Sequence, residues 1–280
     1  MTPPPGGARR MFKIDQNLFD IGRMDTLATG GTPLHRLDPR AKLITTLAFI
    51  VAVVSFDKYT LSALIPFFVF PLVMIAGGGL PFAYLLRKVL VVAPFALFVG
   101  AFNPLLDREI LFRLGGLGIS GGWVSYLSIL IRFGLTVTAA LTLIALTGFN
   151  TVCLGLEKLA VPRPFVIQLL FLYRYIFVLT DEAARLVRAR SLRVFEASGL
   201  GFKPFVSMVG HLLLRTLDRA QRVHLAMRCR GFEGQMPVLR PTHFGLPEVR
   251  HIALWVPLFV LMRVYNLPIK LGLWITGFFA

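Results

Sequence analysis

Long apolar runs with few charges inside them constrain this chain more than any other feature. They occupy roughly residues 43–56, 60–77, 89–106 and 123–148, and a last one begins near residue 252. Each is near the ~20 residues a helix needs to cross ~30 Å of hydrocarbon, although the first must borrow from its flanks. Inside lipid every backbone N–H and C=O must be paired within its own segment, so such runs imply helices. The mean hydropathy of +0.72 and a charged fraction of 16% agree, since soluble domains carry about 25% charged residues. The expected fold is an all-α integral membrane protein with about five transmembrane helices.

A formal net charge of +16 would point to nucleic acid in a soluble protein. Here the basic residues sit between the apolar runs, where cytoplasmic loops of membrane proteins collect Lys and Arg. Membrane lipid is therefore the expected surrounding, and no nucleic-acid partner is expected. Two cysteines, Cys153 and Cys229, are too few and too far apart for a disulfide framework or a zinc pattern. The opening MTPPPGGARRMFKIDQ is polar and Pro-rich and does not read as a signal peptide, so insertion is expected to use an internal span.

Charge also sets the orientation. Arg87 and Lys88 make one short loop basic, which marks the cytoplasmic side. Arg9, Arg10, Lys13, Arg23, Arg36, Arg40 and Lys42 then lie inside as well. The Gly-rich loop 103–122 carries balanced charges and suits the outside. Four crossings return the chain inside at Phe149.

The apolar run 165–179 is a special case. Were it to cross, residues 181–250 would lie outside with twelve Lys/Arg against six acids. Burying that region instead is too costly: one Arg at the bilayer centre costs ~2.5–3.5 kcal/mol, so Arg185, Arg188, Arg190 and Arg193 together would cost on the order of 10 kcal/mol. The run also carries Arg174 between Tyr173 and Tyr175 and follows Pro162-Arg163-Pro164. It is expected to bend at the membrane surface or return without crossing. The division that follows is a cytoplasmic N-terminal segment 1–42, a four-helix transmembrane region 43–148, a cytoplasmic or interfacial helical region 149–250, and a C-terminal transmembrane helix within 251–280.

Within that cytoplasmic region, the stretch RTLDRAQRVHLAMRCRGFEG holds five arginines between Arg215 and Arg230. On a helix Arg215, Arg219 and Arg222 share one face, and Ala220, Val223 and Met227 line an apolar stripe. Gly231 is expected to end the helix with Arg230 in its last turn, where a cation suits the dipole. The end of this stretch also has a twin. VRARSL (187–192) and MRCRGF (227–232) both read apolar, Arg, small, Arg, small, apolar. Small residues beside Arg190 and Arg230 let a partner's backbone approach, and each guanidinium offers fork-shaped donors to a carboxylate. Headgroup attraction needs charge but not matched spacing, so the duplication favours two equivalent docking plugs for a partner present in two copies.

These residues carry a family resemblance. The 215–234 stretch resembles the second Ala-Arg-Gly region of the transmembrane T components of energy-coupling factor (ECF) transporters, and Ala189-Arg190-Ser191 resembles the first. PLHRLDPRAKL (33–43) is similar to the N-terminal entry of that family. LLFLYRYIFVLTDEAARLVRARSLR and the FNPLLDRE loop are closest to its cobalt/nickel-type branch, the CbiQ family. The pattern differs at Ser191, where Gly is usual, and at Cys229, where Ala is common. The resemblance implies a non-catalytic scaffold in a prokaryotic cell membrane, with two ATP-binding cassette subunits below it and a substrate-binding membrane S component beside it. A small accessory membrane subunit is a further candidate partner. ATP and Mg would then belong to the partner ATPases, and Co or Ni would be cargo held by the S component. Arg190 and Arg230 would anchor the ATPases, with Ala189, Ser191, Cys229 and Gly231 as spacers. Arg188, Val223, Met227 and Arg228 would serve the packing of the coupling helices that carry the motifs. The alternative is a vitamin-type T component shared among several S components.

The remaining candidates are structural. The five histidines are scattered without ligand spacing, so no metal site is expected in this chain. Asp38, Pro39 and Arg40 suit the cap and first turn of the first span, with a lock on the coupling region as the alternative role. Arg132 is expected to snorkel or pair with a neighbouring helix, and Arg174 to form a structural ion pair near Asp181 and Glu182. Glu157 and Lys158 read as a solvated pair. No GxxxxGK[ST] or HExxH motif occurs, nor an acidic cluster able to hold Mg.

Overall fold

A computed structural model describes residues 22–57, 61–102, 110–114, 117–192, 202–234 and 244–265. The expectations for Arg9, Arg10, Lys13 and Arg193, for part of loop 103–122 and for the stretch after Tyr265 lie outside the described residues. Those described fall into two compact units. One is drawn from Asp25–Gly155 with Thr242–Ala280, the other from Met1–Met24 with Leu156–Pro241.

The first unit is built of helices that run end to end. A short helix α1 (Pro33–Arg36) leads into α2 (Pro39–Val54). Asp38 starts α2 as the sequence requires: its carboxylate accepts the Arg40 N–H at 2.9 Å, and Pro39 occupies the first turn, where its missing N–H costs nothing. A 3-10 stretch Ser62–Phe68 continues as α3 (Val69–Gly77), followed by α4 (Phe82–Gly100). The chain then forms an antiparallel hairpin, β1 (Ile110–Leu114) with β2 (Leu117–Ser120), within the Gly-rich loop. Helix α5 (Gly121–Thr147) follows, and the last described element of this unit is α9 (Leu246–Tyr265).

Aromatic rings hold α2, the 62–77 stretch and α9 together. Phe49 lies 4.7 Å from Phe70 and 5.4 Å from Phe259, while Phe70 meets Trp255 edge-on at 4.9 Å. Lipid tails are as apolar as these rings, so close packing rather than water exclusion drives the association. Each well-oriented ring pair contributes ~0.5–1.5 kcal/mol beyond its buried area.

Helices α2 and α9 lie parallel. Near their starts the Asp38 backbone N–H donates to Glu248 Oε1 at 3.3 Å, and near their ends Arg263 donates to the Ser55 carbonyl at 2.9 Å. Lys42, in the first turn of α2, donates to the Leu146 carbonyl in the last turn of α5 at 3.1 Å. A side chain on Gly78 would collide with Leu146, and one on Gly100 with Tyr126. The starts of α2 and α9 and the ends of α3 and α5 therefore share one end of the unit, and the five helical stretches alternate in direction as five spans require.

By length and composition Phe82–Gly100, Gly122–Thr147 and Arg163–Arg190 are each apolar enough to cross a membrane, and Ala63–Gly77 is a shorter apolar helix.

The second unit contains two long helices, α7 (Arg163–Ser191) and α8 (Phe202–Cys229), reached through the amphipathic helix α6 (Phe149–Lys158). Run 165–179 does not bend, contrary to the sequence expectation. It forms part of one uninterrupted 29-residue helix. Pro162 and Pro164 sit at the cap and in the first turn, where proline starts a helix rather than breaking it.

Candidate partner-docking site

Helices α7 and α8 pack on one another but build almost no core. Among the described residues of this unit only Val166 is buried. On α8 the half-buried positions Met208, Leu212, Thr216, Val223 and Met227 recur at helical spacing, while nearly all the others are exposed. Thr216 lines a cleft of about 280 Å³ with Leu179 and Glu182 of α7, so this stripe is the one that faces α7. Val223 and Met227 are among these half-buried positions, and Arg188 and Arg228 are exposed at the helix ends.

One ion pair joins the helices. Arg215 pairs with Glu182, a contact that sequence reading missed because it spans 33 residues. This corrects the expectation for Arg174, which is exposed and makes no ion pair among the described residues. Tyr173 beside it meets Phe177 edge-on, and Tyr175 lies tilted against Phe171. Glu157 likewise pairs with Arg163 at 3.3 Å.

The two arginine motifs sit at the C-terminal ends of these helices. At 1.5 Å per residue, Arg190 lies ~12 Å beyond Glu182 and Arg230 ~22 Å beyond Arg215, so each motif is carried well past the tie. Their caps differ for a physical reason. After Cys229 the Phe232 N–H reaches the Met227 carbonyl at 3.0 Å and the Gly231 N–H reaches that of Arg228 at 3.0 Å. Gly231 adopts φ +75°, and this pair of bonds is the Schellman arrangement. Arg230 is thus the capping residue, one position beyond the last turn expected for it. In the first motif Ser191 stands where the glycine would be. A side chain in the left-handed region costs ~1–2 kcal/mol, and the helix continues through Ser191, with Leu192 as its right-handed cap.

Ala189, Arg228, Cys229, Arg230 and Gly231 are exposed, and Arg190 is half-buried. Neither Arg190 nor Arg230 makes an ion pair among the described residues. The flanking apolar side chains are as open: Leu192 is 76% exposed and Phe202 82%, and Leu213, Leu214 and Leu217 follow on α8. Large apolar exposure thus lies beside guanidinium groups that make no ion pair among the described residues.

Elsewhere, Asp38, Pro39 and Arg40 form the capped start of α2, with Arg40 Nε 3.9 Å from Asp38. Arg132 donates to the Asp57 carbonyl, just beyond the end of α2. His35 bridges Thr32 Oγ1 at 2.6 Å and the Leu27 carbonyl at 3.0 Å, a structural role. Among the described residues no three His, Cys, Asp or Glu come together as metal ligands.

Comparison with known proteins adds three findings. The family described as cobalt transport protein, CbiQ, matches residues 30–239. The energy-coupling factor transporter transmembrane protein EcfT of Bacillus subtilis (strain 168) is 29% identical over 231 residues, covering 75% of this chain and 86% of that protein. The cobalt transport protein CbiQ of Rhodobacter capsulatus is 31% identical over 96 residues, 34% of this chain and 39% of that protein.

Proposed function

The chain belongs to the CbiQ family of cobalt transport proteins, and from that premise we propose that it couples ATP hydrolysis by partner subunits to uptake of a transition-metal ion, cobalt or nickel. It is a transmembrane T component of an energy-coupling factor transporter. The chain itself carries no catalytic machinery in this reading. Two ATP-binding cassette subunits hydrolyse Mg-ATP, and a substrate-binding membrane subunit holds the cargo.

The observation that carries the proposal is the pair of matched arginine motifs, each at the end of a long helix on a unit with almost no core of its own. Arg190 and Arg230 each enter an acid-lined groove of one ATPase. There the guanidinium forms charge-assisted hydrogen bonds, and the small neighbours Ala189, Ser191, Cys229 and Gly231 let the surfaces close. The exposed Leu213, Leu214 and Leu217 of α8 suit a second, membrane-embedded partner.

Topology supports this reading. Within the first unit α5 ends at Thr147 and α9 begins at Leu246 at the same end, so residues between them cross the membrane an even number of times. Helix α8 cannot cross, because Arg215, Arg219 and Arg222 alone would cost on the order of 10 kcal/mol. Helix α7 then does not cross either, despite its length. Both motifs lie on the side marked by Arg36, Arg40 and Lys42, the cytoplasm by the positive-inside rule.

The test is co-purification. Arg190→Glu with Arg230→Glu should leave the chain in the membrane and reduce the ATP-binding subunits it retains by about tenfold or more. Retention at the wild-type level would refute the docking role. A second reading is a vitamin-type T component serving several S components. Purification of the complex with its cargo measured separates the two.

A further inference from the structure

Four ionisable side chains are buried at the end of the first unit where the chain departs after α5 and returns before α9. Asp38 is 3% exposed, Lys42 1%, Glu248 6% and His251 9%. The Lys42 ammonium donates to the carbonyls of His35 and Leu146, both at 3.1 Å. Glu248 accepts the Asp38 N–H at 3.3 Å and the Gly245 N–H at 2.9 Å. Asp25 accepts the Phe149 N–H at 3.3 Å. Gly155 presses on the same place: a side chain there would come within 2.7 Å of Leu43 and 3.2 Å of Pro39. Asp38 Oδ2 and His251 Nε2 are buried without a partner among the described residues.

Such an arrangement is expensive as a stabiliser. Buried charges are often replaced by apolar residues at no loss of stability. What they provide is direction and distance, because a hydrogen bond is lost over a fraction of an ångström where apolar packing merely slides. Here each bond fixes one exit or entry of the chain: Leu146 before the departure, Gly245 at the return, and Asp38 at the start of the first span. Helix α9 is fixed at its far end too, where Arg263 holds Ser55 and covers the Phe56 ring at 4.6 Å.

We propose that Lys42 and Glu248 are positioning residues of the transport cycle, binding the ends of α2, α5 and α9 into one joint through which displacement of residues 149–245 moves the membrane helices as a body. The inference rests on the reading of the chain as a T component. Neither residue touches cargo or nucleotide. Without the joint, residues 149–245 follow the ATPases while the membrane helices stay behind.

The experiment is hydrogen–deuterium exchange on the full complex in nanodiscs, before and after the ATPases are trapped with ADP and vanadate. In the wild type, exchange should change both across 163–230 and across 33–57 and 246–265. In Lys42→Met and Glu248→Gln the ATPases should be retained and the change across 163–230 kept. The change in the membrane helices should fall by roughly threefold to thirtyfold. Lys42→Arg, which keeps the donors, should restore part of it. Glu248→Gln keeps an oxygen for the Asp38 N–H, so it folds even where Lys42→Met does not. Variants whose membrane helices respond as the wild type does would overturn the joint. A wild-type chain that retains no ATPases would instead overturn the T-component reading beneath it.

Discussion

Lys42 and Leu146, 104 residues apart, are joined by a hydrogen bond from a buried ammonium to a backbone carbonyl at 3.1 Å. The same ammonium also serves the His35 carbonyl. Lys42→Met removes both donors and strands two acceptors away from water. Leaving a buried polar group unsatisfied costs about 1–3 kcal/mol. The variant should therefore unfold several degrees lower in detergent, with Lys42→Arg between it and the wild type. An unchanged midpoint for Lys42→Met would mean that these carbonyls find other donors.

His35 gives the fold a pH dependence of known sign. Its pKa is lowered from 6.5, first by burial and further by Lys42, while the bond to the Leu27 carbonyl opposes the shift. The folded state therefore holds the proton less tightly than the unfolded chain. Its contribution to stability is present above the unfolded value of about 6.5 and is lost as pH falls below it. Thermal midpoints of wild type and His35→Gln should converge between pH 7 and pH 5. A gap that stays constant across that range would show that the ring is not held neutral.

Gly231 allows the turn that presents Arg230. Gly231→Ala places a side chain at φ +75°, at a cost of about 1 kcal/mol or more. The end of α8 should fray, and affinity for the ATPases, measured by titration, should weaken several-fold. Ala at position 189 already stands on the helix and serves as the comparison: Ala189→Gly should have the smaller effect on the cap geometry. Equal losses at the two sites would argue against a role for the left-handed turn.

Glu182 and Arg215 tie α7 to α8, but the arginine side chain is 61% exposed, so screening keeps the pair to about 1 kcal/mol or less. Each single reversal, Glu182→Arg or Arg215→Glu, should speed amide exchange around residues 179–222. The double reversal should restore it. Failure of the double variant to recover would mean that the cleft depends on the charge of Arg215 itself.

How much of this was legible in the sequence depends on the range of the interaction. The apolar runs located α3 and α5, and Asp38-Pro39 located the start of α2, because these follow from local hydropathy and capping; α4 begins at Phe82 and takes in Arg87 and Lys88, which read as a loop in the sequence. Gly231 gave the end of α8 for the same reason. The continuity of α7 was misread, since prolines at 162 and 164 look alike whether they bend a helix or begin one. Lys42 appeared only as one more basic residue of an inside segment, and Glu248 as one of six acids in a cytoplasmic region. Their partners are backbone atoms up to 210 residues away, which no side-chain pattern announces. The hairpin 110–120 was hidden in a Gly-rich loop.

Cys229, between Arg228 and Arg230, offers the most direct test of the account. It is exposed, whereas Cys153 is buried with its thiol pushed up to about 11 by burial, so a maleimide at pH 7 reports on Cys229 alone. A membrane-impermeant maleimide should label the chain in inverted vesicles and not in intact cells, and co-expressed ATP-binding subunits should protect the thiol. Labelling from the outside of intact cells, or an equal rate with and without those subunits, would contradict the docking of this motif at the cytoplasmic face.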